Sequence, residues 1–176
     1  IENIQIDYGL VYVNYGETGE KQLGPTRGGG EFVATATIRD IEYDGSKGKT
    51  KGMQVVDDIT AQLNVTSLNA SMDTLKMALP FAKYDEVTGK LSVGADSIGI
   101  IPDSAYLKNI TMFAKTVKGE HKKITLYNAM SENGLTFAAV PKGEGTIALN
   151  VFAHWDAVDD TADLYDIEDV GTISAD

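Results

Sequence analysis

Ile4, Ile6, Tyr8 and Leu10 alternate with Gln5, Asp7 and Gly9, and Val11 to Tyr15 continue in β-branched and aromatic residues. A repeat of two is the period of a half-buried strand, so residues 2–15 are expected to form one or two strands. Residues 16–30 (GETGEKQLGPTRGGG) hold six glycines and a proline, a composition expected to give a long loop. Two further strand patterns follow at 31–43 and 53–68, joined by the turn-rich run 44–52 (DGSKGKTKG). They read as a long hairpin. In its second arm Val55, Ile59, Ala61, Leu63 and Val65 fall on one face and Asp58, Thr60, Gln62, Asn64 and Thr66 on the other, with Asp57 alone breaking the apolar side. One face packed and one face wet is the pattern of an antiparallel sheet.

The period changes at residues 71–79. Ser71 is a capping residue, Asp73 lies in the first turn, and Met72, Leu75, Met77, Ala78 and Leu79 are helix formers ahead of Pro80, which together predict one short helix. Beyond it, short strand patterns recur near 90–93, 107–117, 122–130, 135–140 and 146–155, separated by Gly, Pro, Asp and Asn. Strands at such intervals, with no alternating helices, predict a mainly β fold, an antiparallel β-sandwich or barrel with one flanking helix. There is no internal repeat and no sign of a second domain. Residues 1–155 are expected to form the body and 156–176 an acidic C-terminal arm.

That division comes from charge. The 176 residues carry a formal net charge of −11, yet eight acids and no Lys or Arg lie between His154 and Asp176, so the rest holds 15 basic against 18 acidic residues. Such a balance argues against tight nucleic-acid binding, where affinity comes from Lys and Arg displacing counterions. The chain has no cysteine, which excludes disulfides and thiolate sites. No apolar run approaches the roughly 20 residues that span a bilayer, and the first thirty residues show no basic stretch followed by an apolar one.

The catalytic motifs fail one by one. His121 sits among Glu120, Lys122 and Lys123, the composition of a solvated turn, and His154 stands at a strand end beside Trp155. Residues 94–99 (GADSIG) lack the glycine two places before the serine that a nucleophile elbow needs. Gly143-Glu144-Gly145 and the triple glycine 28–30 precede no helix and no Lys-Ser/Thr pair, so they read as turns rather than phosphate cradles. Asp156, Asp159, Asp160, Asp163 and Asp166 miss the spacing of a calcium-binding hand, and a glycosidase would need two carboxylates held rigidly across a cleft. No cofactor is expected, and no enzymatic activity. Sequons at Asn64, Asn69 and Asn109 would matter only in a secreted chain.

The run VYVNYGETGEKQLGPTRGGGEFVATATIRDIEYDG, followed by GMQVVDD and SMDTLKMAL, resembles the major tail protein, the tail-tube subunit, of long-tailed bacteriophages. The resemblance covers residues 10–80 in motif and the rest in element order; LGPTRGG followed by IRDIEYDG carries most of it. It implies a β-sandwich with a flanking helix, shared with the tube protein of type VI secretion, in hexameric rings stacked into a virion tail tube made in the bacterial host cytoplasm. Other tail proteins, such as tape measure and terminator, would be partners, with transient DNA contact in the bore and no membrane anchor. The immunoglobulin-like domain that some tail proteins append is not evident. On this reading Asp58, Thr60, Gln62, Asn64 and Thr66 would line the lumen, and Asp44, Gly45, Lys47, Lys49 and Lys51 would form a ring-stacking loop. The apolar residues Leu164, Tyr165, Ile167 and Val170, which interrupt the acids, would order the arm on a neighbouring subunit, and the acids would meet basic surface there. A glycan-binding β-sandwich of a baseplate or cell surface is the alternative; it would present clustered exposed aromatics, whereas the single Trp stands at a strand end and the Tyr residues are scattered.

Overall fold

The computed structural model describes residues 10–138 and 141–171. The strand pattern at 2–9 and the last five residues lie outside the described part. The elements in chain order are β1 (Leu10–Val13), β2 (Lys21–Gln22), β3 (Thr26–Asp40), β4 (Gln54–Ser67), α1 (Met72–Ala78), β5 (Lys83–Asp85), β6 (Lys90–Ser92), β7 (Leu107–Lys115), β8 (His121–Ser131), β9 (Phe137–Ala138), β10 (Thr146–Phe152) and β11 (Tyr165–Gly171). All described pairings are antiparallel, so the fold is mainly antiparallel β with one short α-helix, as the pattern predicted. Ser71 caps α1, its hydroxyl accepting from the Thr74 amide.

The strands run in the order β2-β1-β7-β8-β10-β4-β3, with β11 also on β8 and β9 on β10. β8 makes this a two-layered body. Along 121–126 it pairs with β11, then at Met130 and Ser131 it passes to β10, which continues into β4 and β3. The halves fold over one another, so that Phe32 of β3 packs its ring 5.3 Å from that of Tyr165 on β11. Between them Leu63, Ile110, Leu126, Ile147, Leu149 and Val151 are shut from water. Burial of each such side chain is worth about 1.5–3 kcal/mol, the main source of stability in a chain without disulfides.

Four expectations need correction. The region 16–30 is not one loop, because β3 begins at Thr26 and pairs Thr26 with Ser67 and Arg27 with Thr66 before a register shift to Gly30. The triple glycine serves that shift: Gly28 and Gly29 have φ of +76° and +74°, conformations open to glycine, and a Cβ on Gly30 would stand 2.7 Å from Met112 Sδ. Turn residues here form a bulge inside a strand.

The second correction concerns faces. A second register shift, between Thr37 and Ile38, pairs Thr37 with Asp58 but Ile38 with Val56, leaving Asp57 extra. Asp57 then meets Arg39, with Nε 2.9 Å from its Oδ2, and Arg39 alternates with Thr35 and Thr37 on the polar face. The acid that seemed to break the apolar side is therefore placed with the polar residues. Val56, not Val55, joins the apolar face opposite Ile38, while Val55 pairs with Arg39.

Third, the segment expected to leave the body as an arm returns to it. β11 pairs with β8 from Tyr165↔Leu126 to Gly171↔His121, Leu164 is only 4% exposed, and Lys122 meets Asp169 and Lys123 meets Glu168 within the chain. Glu168 and Asp169 do find the basic segment, but it is their own chain's. Fourth, His121 is no turn residue; it opens β8, paired with Lys115 and Gly171.

Candidate assembly surface

The third strand of support stops before the long hairpin does. β10 accompanies β4 only to Gln62, and the last outside bond to this end is from the Ala153 amide to the Ala61 carbonyl, 3.0 Å. Beyond that point, among the described residues, Thr35–Asp40 and Gln54–Thr60 pair with each other alone, a two-stranded ribbon about 20 Å long at about 3.3 Å per residue. The Ile41 amide still reaches the Met53 carbonyl at 2.8 Å, and the turn follows. Side chains become exposed on both faces here. An isolated ribbon of two strands is marginally stable in water.

Its two faces differ in chemistry. On one, Phe32, Ala34 and Ala36 face Leu63, Ala61 and Ile59 pair by pair, continuing the buried core outward until Ile38 and Val56 are 57% and 53% exposed. On the other, Asp58, Thr60, Gln62, Asn64 and Thr66 stand together as their alternation required, and the pairings add residues from two further strands. Glu31 and Asn150 flank Asn64, and Thr35 lies opposite Thr60. Thr35 and Thr60 share a hydrogen bond of 2.6 Å. Asn64 is a hub: its Oδ1 accepts from Gln62 Nε2 at 3.2 Å and Asn150 Nδ2 at 3.0 Å, and its Nδ2 donates to Glu31 Oε2 at 3.2 Å. The Asp57 carboxylate, by its hydrogen bond first and its charge second, pushes the Arg39 guanidinium further above its ordinary value. The result is a three-stranded polar shelf with acids at Glu31 and Asp58. Glu31 and Thr35 were legible in the alternation of residues 31–39; Asn150 was not, since nothing in the sequence pairs β10 with β4.

At the ribbon's end Asp44, Gly45, Lys47, Lys49 and Lys51 are all exposed. Gly45, Gly48 and Gly52 take φ of +89°, +119° and +86°, which lets the turn close tightly. Of the four apolar residues assigned to the arm, Leu164 and Tyr165 pack into the chain's own body, Val170 is half-buried and Ile167 is exposed. The structure thus gathers the polar-face set, isolates the lysine turn and disperses the arm set.

The chemical candidates are spent on structure. His154 Nδ1 lies 2.8 Å from the Asn128 carbonyl and Nε2 lies 2.8 Å from Glu132 Oε1, while its ring stands edge-on to Tyr106. Both ring nitrogens are thus within hydrogen-bond distance of groups of the chain's own body. Ser97 sits in a 3-10 turn, its Oγ accepting from the Gly94 amide at 3.4 Å. Glu144, between its two glycines, meets Arg27. Among the described residues no group of three or more acids and histidines could hold a metal ion, and no helix is long and apolar enough to cross a membrane.

No family model and no curated protein matches the chain. Among solved structures, the crystal structure of an Hcp protein is similar over 93% of this chain and 99% of that one, at 13% identity and a TM-score of 0.36. A likeness of that level carries no functional argument.

Proposed function

We propose that this protein is a structural subunit that assembles with copies of itself into rings stacked as a hollow tube, the tube of a long-tailed phage, with no catalytic step. The observation that carries this reading is the β3–β4 ribbon. It projects an apolar face, Ile38 and Val56, that the other described residues leave exposed, on a hairpin too thin to be stable unaided. Among the described residues no strand pairs the outer edge of β3 over Thr26–Asp40, and an unpaired edge of that length is a template for another chain unless assembly covers it. Pairing of that edge around a closed, six-membered ring would remove the edge and turn the polar shelf of Asp58, Thr60, Gln62, Asn64 and Thr66 toward a shared aqueous bore. A bore lined with amides, hydroxyls and a few acids suits DNA that must pass without being held. Tape measure and terminator proteins would be its partners, and the virion tail its location.

Negative-stain electron microscopy of the purified protein across a concentration series tests this. Rings or tubes are expected, with side-chain cross-links through the β3 edge; a monodisperse monomer at every concentration, with or without tail extracts as template, defeats the reading.

A further inference from the structure

Charges of opposite sign that form no ion pair among the described residues stand at two separate places on the chain. The ribbon's turn carries Lys47, Lys49 and Lys51 at its tip, with Asp40, Glu42 and Asp44 on the side leading into it, and none of these lysines forms an ion pair among the described residues. The bend between β10 and β11 carries Asp156, Asp159, Asp160 and Asp163 with no Lys or Arg. None of these four forms an ion pair either, whereas Glu168 and Asp169, further along, are matched by Lys123 and Lys122. The bend has a defined shape: Asp156 Oδ1 accepts from the amides of Val158 at 2.8 Å and Asp159 at 3.3 Å, and Asp159 Oδ1 from the Thr161 amide at 3.0 Å.

Both places also expose apolar side chains. Tyr43 and Met53 flank the lysines, while Trp155 and Val158, 54% and 97% exposed, flank the acids. Solvated loops gain nothing from such residues, whereas Tyr, Trp and Met are what interfaces concentrate. The apolar ribbon face runs between the core and the lysine tip, so anything covering Ile38 and Val56 lies next to the lysines.

Resting on the self-assembly proposed above, we infer that the ribbon of one copy lies on a second copy, its Ile38 and Val56 face covered and its Lys47, Lys49 and Lys51 seated on that copy's bend at residues 155–163. Charge complementarity selects the second copy, since the same chain supplies both signs. Trp155 offers the lysines an aromatic face in addition to the carboxylates. Because tip and bend are different surfaces, the contact is head-to-tail: a joined pair still has one free tip and one free bend, and assembly propagates rather than stopping at a pair.

A charge-swap series tests the contact. One variant carries Lys47→Glu, Lys49→Glu and Lys51→Glu; a second carries Asp160→Lys and Asp163→Lys; a third carries both sets. Asp156 and Asp159 are kept because they hold the bend, and near-ultraviolet circular dichroism of the monomers checks that each variant folds. The first two are expected to raise the critical concentration for assembly by about tenfold, and an equal mixture of the two, or the third variant alone, to restore it. For the wild type, assembly should weaken between about 0.1 M and about 1 M salt, as the screening length falls from about 10 Å to about 3 Å. Assembly of the single-set variants at the wild-type concentration, or loss in both without rescue in the combination, overturns the tip-to-bend contact and leaves the tube reading standing. Absence of assembly by the wild type itself overturns both.

Discussion

Tyr127 shows how one side chain ties the C-terminal strand to the body. Its hydroxyl donates to Asp166 Oδ2 on β11, while Asp166 Oδ1 is buried and has no hydrogen-bond partner among the described residues. That carboxylate therefore depends on the tyrosine. The hydrogen bond, followed by burial and the negative charges nearby, pushes the phenol from its ordinary value of 10.0 up to about 12. A phenol held neutral by the fold contributes stability that is present below pH 10 and is lost as pH climbs toward 12, because the unfolded chain ionises first. In an ultraviolet difference titration one tyrosine should therefore ionise about two pH units late, and Asp166→Asn should return it toward the ordinary range. A wild-type titration with no late tyrosine would show that this bond is not made in solution. On the acid side, Asp159 is held below the usual carboxylate range by the Thr161 hydroxyl and amide, so its contribution is present above the ordinary value and is lost only below it.

At the scale of elements, the ribbon and β11 make opposite predictions. Ile38 and Val56 are exposed in the single chain, so Ile38→Ser with Val56→Ser should change monomer stability by no more than about 0.5 kcal/mol while preventing assembly, read by denaturant melts beside light scattering. A large loss of monomer stability would mean that the chain covers this face itself. β11 behaves the other way. Truncation after Trp155 strips Leu164 from the core, Tyr165 from Phe32 and a whole strand from β8. Deleting one buried leucine side chain alone costs about 2–5 kcal/mol, a large part of the roughly 5–15 kcal/mol a domain possesses. The truncated chain should fail to reach a cooperative melt; a truncated chain with normal stability but no assembly would return β11 to a role between copies.

At the scale of the whole molecule, the sequence was most readable where one physical rule acted alone. Alternation from Ile59 to Ser67 and the Ser71 cap needed only local period and local hydrogen bonding, and both appear as expected. It was least readable where pairing overrode composition. The glycines at 28–30 look like loop but form a bulge opposite β4, and Glu168 and Asp169 look like a solvated tail but are neutralised by lysines more than forty residues away in sequence. Asp57 was the one visible sign of a register shift, an acid out of phase by a single place. The polar shelf carries a consequence for function that composition and pairing give together. In a chain of net charge −11, the shelf sets the acids Glu31 and Asp58 among amides and hydroxyls and has its Arg39 paired with Asp57, so it would offer passing phosphates few free cations. Wild-type assemblies should therefore bind duplex DNA more weakly than about 1 μM at physiological salt, the tight end of ordinary non-specific binding. Glu31→Lys with Asp58→Lys should create measurable, salt-sensitive affinity if these positions face the bore, because each ring would then repeat the new charges around the passing strand. Tight binding by the wild type would exclude a conduit. Tubes of the lysine variant that bind DNA no better than wild type would place the shelf away from the bore, on the outer wall.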